Sequence, residues 1–141
     1  MRSLEDAQGE ILAAMPRLAA GRTAISASLG RVTAEPVVAH EPIPSFDNSA
    51  MDGYAVIASD TESAPVDLVV NEDVAAGSVP EVRVTPGTAT RIMTGAPMPE
   101  GADAVVKVED TDLLERGWVT IRVPVEAGRN VRPVGGDVTP G

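Results

Sequence analysis

Leu4, Ile11, Leu12, Met15 and Leu18 stand at offsets of 0, 7, 8, 11 and 14 residues, which places them on one face of an α-helix. Ser3 can cap that helix, and Asp6 three residues on gives a capping-box-like start. Such a cap stabilises by about 1 kcal/mol. Pro16 lies inside the pattern and should end or kink the helix near Met15, because proline has no N–H to donate and its ring clashes with the preceding turn. Ser26 to Leu29 suits one further helical turn, stopped at Gly30. From Arg31 onward the chain reads as strands. Val119, Ile121, Val123 and Val125 alternate with Thr120, Arg122 and Pro124, as a half-buried strand requires. Ala104, Val106 and Val108 alternate with Val105, Lys107 and Glu109. Tyr54 to Ile57 reads as a strand start, and Val66–Val70, Val82–Thr85, Thr88–Thr94 and Asn130–Val134 are shorter candidates. Thr85-Pro86-Gly87-Thr88 has Pro and Gly where a type II turn wants them. Glu115-Arg116-Gly117 suits a hairpin between Asp110 and Trp118. Twelve prolines punctuate these stretches, so the strands should be short and irregular. The expected fold class is mainly β with an N-terminal helix (α+β), built from irregular, coiled sheets.

Composition narrows this picture. The 141 residues make one domain or two small ones. A hydrophobic share of 43% permits a core, and an aromatic share of 2% means that core is Val, Ile, Leu, Ala and Met. With no cysteine there are no disulfides, zinc-thiolate sites or thiol nucleophiles. The single histidine, His40, excludes a His-rich metal site and suits a surface loop.

Charge is unevenly spread. The chain carries 11 basic and 21 acidic side chains, a formal −10. Residues 1–43 hold 4 basic and 5 acidic, residues 44–127 hold 5 and 15, and residues 128–141 hold Arg129 and Arg132 against Asp137. An acidic body repels phosphate backbones, which argues against nucleic acid as partner. No apolar run approaches about 18 residues, so no spanning helix is expected. The N-terminus has no basic-then-apolar signal pattern, and the cytoplasm is the default location. The charge partition suggests three segments: 1–44 with the helix, an acidic β-rich unit at 45–127, and a return segment at 128–141 that pairs with the first.

Three places offer chemistry. In PSFDNSAMDGYAV (Pro44–Val56) the Asp47-Asn48-Ser49 cluster favours a turn, because these side chains bond their own backbone. Gly53 then lets another group approach closely. Asp52 is thus a carboxylate at a loop-to-strand junction, where functional groups often sit; the alternative is a capped turn with a solvated Asp. Thr94-Gly95-Ala96-Pro97 follows the strand Arg91-Ile92-Met93, and a Thr hydroxyl with free N–H groups at a glycine turn makes a small anion cradle; the alternative is a plain turn. Gly135-Gly136-Asp137 lies near Arg129 and Arg132, and arginine can grip phosphate through two N–H groups; the alternative is a flexible linker. Nothing pairs a nucleophile with a base, and no Gly-rich phosphate loop of Walker or Rossmann type occurs.

PSFDNSAMDGYAV resembles the N-terminal signature of the MoeA family, the molybdopterin molybdenumtransferases that include the E domain of gephyrin. RIMTGAPMPEGADAVVKVED (Arg91–Asp110) is similar to the family's second block, GRNVRPVGGDVTPG (Gly128–Gly141) to its third, and SLGRVTAEPVV (Ser28–Val38) to its opening. The resemblance implies an elongated first domain made of discontinuous segments, with a β-domain inserted in it. It implies an enzyme that takes adenylylated molybdopterin and molybdate and makes molybdenum cofactor, with release of AMP and help from a divalent cation, usually Mg²⁺. Molybdate and phosphates need N–H, O–H or Arg donors, and the cation needs oxygen ligands. Asp52, Thr94 and Asp137 match family positions that face the active-site cleft. The expected roles are cation or substrate positioning for Asp52 and Asp137, which are also the metal candidates, and hydrogen bonding of an anionic oxygen for Thr94. Ser49, Gly95 and Arg132 are the candidate cofactor contacts.

Two departures from the family pattern stand out. The third block usually has a Glu before its Asp and more basic residues between; here those positions are Gly136, Pro133 and Val134. The family also continues beyond the point matching Gly141, with a large α/β domain and a C-terminal β-domain, and its site lies between the subunits of a homodimer. The expectation is therefore an N-terminal part of a molybdenumtransferase, a fragment or half of a split enzyme, inactive alone. The alternatives are a non-enzymatic binding module, as a stand-alone paralogue in the cofactor pathway, and a structural remnant.

Overall fold

A computed structural model describes residues 2–114 and 117–141. The chain divides into two compact units, Met1–Val37 and Val38–Gly141.

The first unit holds α1 (Leu4–Ala14). The Ser3 hydroxyl accepts the Asp6 N–H at 3.1 Å, so the expected cap forms. Met15 has left the helical region, with ψ 125°, directly before Pro16. A single 3₁₀ turn, Ile25–Ala27, follows, and Gly30 has φ 79°. None of residues 2–37 is buried. The apolar stripe of α1 exists as read, but Leu4, Ile11, Leu12 and Met15 all remain exposed.

The second unit carries the strands. In chain order they are β1 (Asn48–Ser49), β2 (Gly53–Val56), β3 (Val66–Val74), β4 (Thr88–Ile92), β5 (Ala104–Lys107), β6 (Thr111–Leu113), β7 (Trp118–Ile121) and β8 (Val131–Arg132). Six make one curled sheet in the order β5-β2-β4-β3-β7-β6, while β1 and β8 form a separate pair. Every pairing is antiparallel except β3 with β4, which runs parallel across a register shift between Val70 and Glu72.

The core explains the pattern. Tyr54, Val56, Leu68, Ala104, Val106, Val119 and Ile121 belong to one apolar cluster, and Ala55, Val74, Ile92, Ala96 and Val105 to another. Successive residues of a strand point to opposite faces, so β2 supplies both clusters, and all four of its residues are buried. A fully buried Ile or Val contributes about 1.5–3 kcal/mol, which lets an aliphatic core suffice. Tyr54 is its one aromatic member.

Several expected strands change. Val82–Thr85 is not a strand. Its backbone is held by side chains and a loop carbonyl instead. Glu72 accepts the N–H groups of Glu81 and Val82, the Asn71 amide donates to Arg83 O, and Val84 N–H donates to Glu100 O. The stretch expected at Ala104–Glu109 turns into a 3₁₀ turn at Val108–Asp110, leaving Val108 exposed. The Val119 strand stops at Ile121, where Arg122 N–H turns to Asp110 O. Thr88–Thr94 stops at Ile92, and Asn130–Val134 shrinks to Val131–Arg132 because Asn130 takes φ 57°. Val66–Val70 extends to Val74, since β4 pairs beside it beyond the register shift. The turn at Thr85–Thr88 forms, with Gly87 at φ 82° and Thr88 N–H on Thr85 O at 2.9 Å. β6 and β7 pair antiparallel as a hairpin would; Glu115 and Arg116, read as its turn, lie outside the described residues.

Candidate functional site

Asp52 is held from three sides. Ser49 is fully buried, and its hydroxyl donates to Met51 O at 2.5 Å while accepting Met51 N–H at 3.2 Å. That side-chain bond closes the turn into β2. From the 3₁₀ turn after β5, Val108 N–H donates to Asp52 O at 3.0 Å. Gly53 lies flat on β5: a Cβ there would stand 1.9 Å from Val106 O. The close approach expected at Gly53 is therefore that of a neighbouring strand. Asn48 and Ser49, read as part of a turn, pair instead with Arg132 and Val131; the turn falls on Ala50–Asp52.

The carboxylate itself meets Thr94. Thr94 N–H and Thr94 Oγ1–H both donate to Asp52 Oδ1, each at 2.7 Å. These two bonds hold the Asp52 carboxyl below its ordinary value, the backbone N–H contributing most and the hydroxyl next. Slight desolvation opposes them, and the nearby Arg91 charge assists. Hydrogen bonds to the ionised form favour it. Asp52 and Thr94 are both exposed, so the pair sits at the surface as an ionised carboxylate.

The glycine turn accounts for this geometry. Gly95 takes φ 81°, its N–H donates to Ser49 O at 2.8 Å, and Ala96 N–H donates to Met93 O at 3.0 Å. The N–H groups of Thr94, Gly95 and Ala96 are thus all engaged inside the chain. The cradle expected to hold an outside anion is filled by the carboxylate of Asp52. The N–H and the hydroxyl of one turn residue converge on the nearest negative oxygen, and here that oxygen is internal.

Arg132 and Asp137 meet separately, with Nη2 at 2.5 Å from Oδ2. Both side chains are about half exposed, at 48% and 53%. The Gly135-Gly136 stretch is an ordered turn rather than a free linker. Gly135 N–H donates to Pro44 O, Gly136 N–H to Pro133 O, and Asp137 and Val138 N–H both to Ile43 O. Asp47 adds a carboxylate acceptor for Val134 N–H at 2.6 Å.

The expected residues therefore form two pairs, Asp52 with Thr94 and Arg132 with Asp137. No hydrogen bond or ion pair joins the two pairs among the described residues. Both hang from β1: Ser49 O receives Gly95, and Asn48 is the register partner of Arg132. Two residues went unread as site neighbours. Arg91 lies on β4 opposite Tyr54, paired with Asp73 at 2.9 Å, and its charge reaches Asp52. Its place three residues before Thr94 was the available signal. Asn48 is 3% exposed, and its Oδ1 has no partner.

Among the described residues, no three His, Cys, Asp or Glu side chains gather to hold a metal. A closed metal site is thus not built here. One free carboxylate oxygen at Asp52 does fit a cation of the Mg²⁺ kind, which takes one or two carboxylates and completes its shell with water and substrate phosphates. No helix of the described residues is long and apolar enough to cross a membrane.

Residues 2–141 match the family described as MoeA N-terminal region (domain I and II). Molybdopterin molybdenumtransferase 2 of Mycobacterium tuberculosis is 44% identical over an alignment that takes in 100% of this chain and 36% of that protein. Molybdopterin molybdenumtransferase of Bacillus subtilis is 40% identical, over 84% of this chain and 29% of its own length. The crystal structure of the molybdopterin biosynthesis moeA protein from Pyrococcus horikoshii OT3 superposes with a TM-score of 0.78 at 40% identity, covering 82% of this chain and 31% of that one. The chain thus spans about a third of the length of the relatives it matches. A match over residues 2–141, with the β-rich architecture of a solved relative beneath it, means that this chain belongs to the MoeA family, of which it carries the N-terminal region.

Proposed function

We propose that this chain supplies one wall of the active site of a molybdopterin molybdenumtransferase, which inserts molybdate into adenylylated molybdopterin and releases AMP. One observation carries the reading: Asp52 stands exposed and ionised, with one oxygen locked by Thr94, in a family whose relatives bear that enzyme's name. Asp52 and Asp137 are the residues assigned to a cation of the Mg²⁺ class. Arg132 is the assigned phosphate contact, released from Asp137 as substrate arrives. Thr94 hydrogen bonds the Asp52 carboxylate, and Ser49 and Gly95 shape the same loop from beneath. Bound with substrate, the cation would neutralise charge on the phosphates.

The segments 1–44 and 128–141 belong, in this reading, to one elongated domain into which 45–127 is inserted. The pairing of Ile43 with Val138 supports it. Further domains and a second subunit complete the enzyme. The exposed apolar side chains Leu4, Ile11, Leu12 and Met15 support such a homodimer.

The test is product formation from adenylylated molybdopterin, molybdate and Mg²⁺. The chain alone should give no turnover. Adding a second polypeptide with the α/β and C-terminal domains should restore a weak activity, because bimolecular assembly costs several kcal/mol of lost freedom. Turnover by the chain alone would overturn the shared-site view. Failure of rescue at high concentration would favour a non-enzymatic binding module.

A further inference from the structure

Two donors from one residue fall on one oxygen of Asp52, and this arrangement decides what the other oxygen can do. Thr94 sends its N–H and its hydroxyl proton to the same atom, Oδ1, both at 2.7 Å. A hydroxyl has one proton to give, and here it is spent on Asp52. The carboxylate cannot turn without breaking both bonds, and its backbone is pinned by Val108 N–H and by the tight packing of Gly53 on β5.

We propose that Thr94 is a positioning residue which makes Asp52 a one-oxygen ligand, and that this sets the cation preference of the site. The inference rests on the reading that Asp52 meets a cation. Ca²⁺ favours six to eight oxygens and often takes both oxygens of one carboxylate, whereas Mg²⁺ and Mn²⁺ take one oxygen in an octahedral shell with waters and phosphates. An Asp52 whose Oδ1 has both lone pairs taken by hydrogen bonds offers only Oδ2, and loss of the hydroxyl reopens one of them. The lock therefore selects against Ca²⁺ more than it selects for Mg²⁺. The same geometry removes Thr94 from the substrate's donors, since its proton and its N–H are both committed.

The experiment is Mn²⁺ titration of the ¹⁵N-labelled chain, followed by broadening of the backbone amides of residues 51–54 and 94–95, with Mg²⁺ and Ca²⁺ as competitors. In the unaltered chain Mg²⁺ should relieve the broadening at lower concentration than Ca²⁺. Thr94→Val should bring the Ca²⁺ requirement down by about tenfold relative to Mg²⁺, the scale of losing a charge-assisted hydrogen bond. Thr94→Ser, which keeps both donors, should restore the original order. Asp52→Asn should abolish the local broadening. An unchanged competition ratio in Thr94→Val, with Asp52-dependent broadening intact, overturns this inference alone. Absence of broadening in the unaltered chain, or its persistence in Asp52→Asn, overturns the cation reading on which it rests.

Discussion

At Asp52 the same two bonds that orient the side chain also set its titration. Its carboxyl is held below the ordinary value, first by Thr94 N–H, then by the Thr94 hydroxyl. A depressed carboxyl favours folding above its unfolded pKa of about 4 and loses that contribution as pH falls through the lower folded value. ¹³C-detected titration should therefore find Asp52 ionised to lower pH than a typical aspartate. Thr94→Val, which removes the hydroxyl and keeps the N–H, should move that midpoint upward; an unmoved midpoint would show that the hydroxyl bond is not made in solution. In the complete enzyme Asp52→Asn should keep the fold, because the side chain is exposed and the amide oxygen can still accept from Thr94. It should lose most cofactor synthesis, measured as molybdate insertion with thermal stability as the control. Asp52, Thr94 and Asp137 stand beside glycines in loops, where functional groups often sit, but their proposed roles come from the family positions they match. Their partners were not legible in the sequence. That the Thr94 turn closes on Asp52, 42 residues away, depends on the pairing of β2 with β4, which no local pattern encodes. Arg91 and Asn48 were missed for the same reason, since each gains its meaning from a strand opposite.

Gly53 shows how much an element depends on one residue. The nearest atoms to an added Cβ are Val106 O at 1.9 Å, Val106 C at 2.8 Å and Lys107 Cα at 2.9 Å. All belong to backbone and cannot swing aside. Gly53→Ala should force β2 off β5 and cost about 3 kcal/mol or more, read as a drop in denaturant midpoint. It should also lower the protection in hydrogen exchange of the Val108 amide, which bonds Asp52 O across this seam. At the other end of the chain, Ser3→Ala should cost about 1 kcal/mol of local helix stability, visible as lost helical circular dichroism. Elements were legible where apolar residues keep a single period: α1, with its cap and its stop, and the alternation at Val119 and Ile121. They were misread where side chains replace the ladder, as Glu72 and Asn71 do for Val82–Thr85. The parallel join of β3 and β4 leaves no period in the sequence to be read.

Over the whole molecule, burial is concentrated in one of the two units. Every residue of both core clusters lies beyond Val37. Amide exchange of the isolated chain should divide accordingly. Amides of β2, β4 and β5 should exchange only through global unfolding, while those of α1 exchange through local opening, because no buried side chain holds that helix. Equal protection in both units would overturn this division. Where the excess acid lies was legible, since residues 44–127 hold it. Burial was not, because an apolar helical stripe reads the same whether or not something covers it.

The bonds between Ile43 and Val138, with β1 against β8, bring the entry and exit of the intervening chain side by side. Chain ends that meet in this way carry little information about what lies between them. On the proposed reading of one domain inserted in another, the stretch between β1 and β8 is a cassette. Its counterpart from a relative of different length could be spliced at these two points without moving the flanking strands, and evolution could lengthen or recharge the body independently of the segments that frame it.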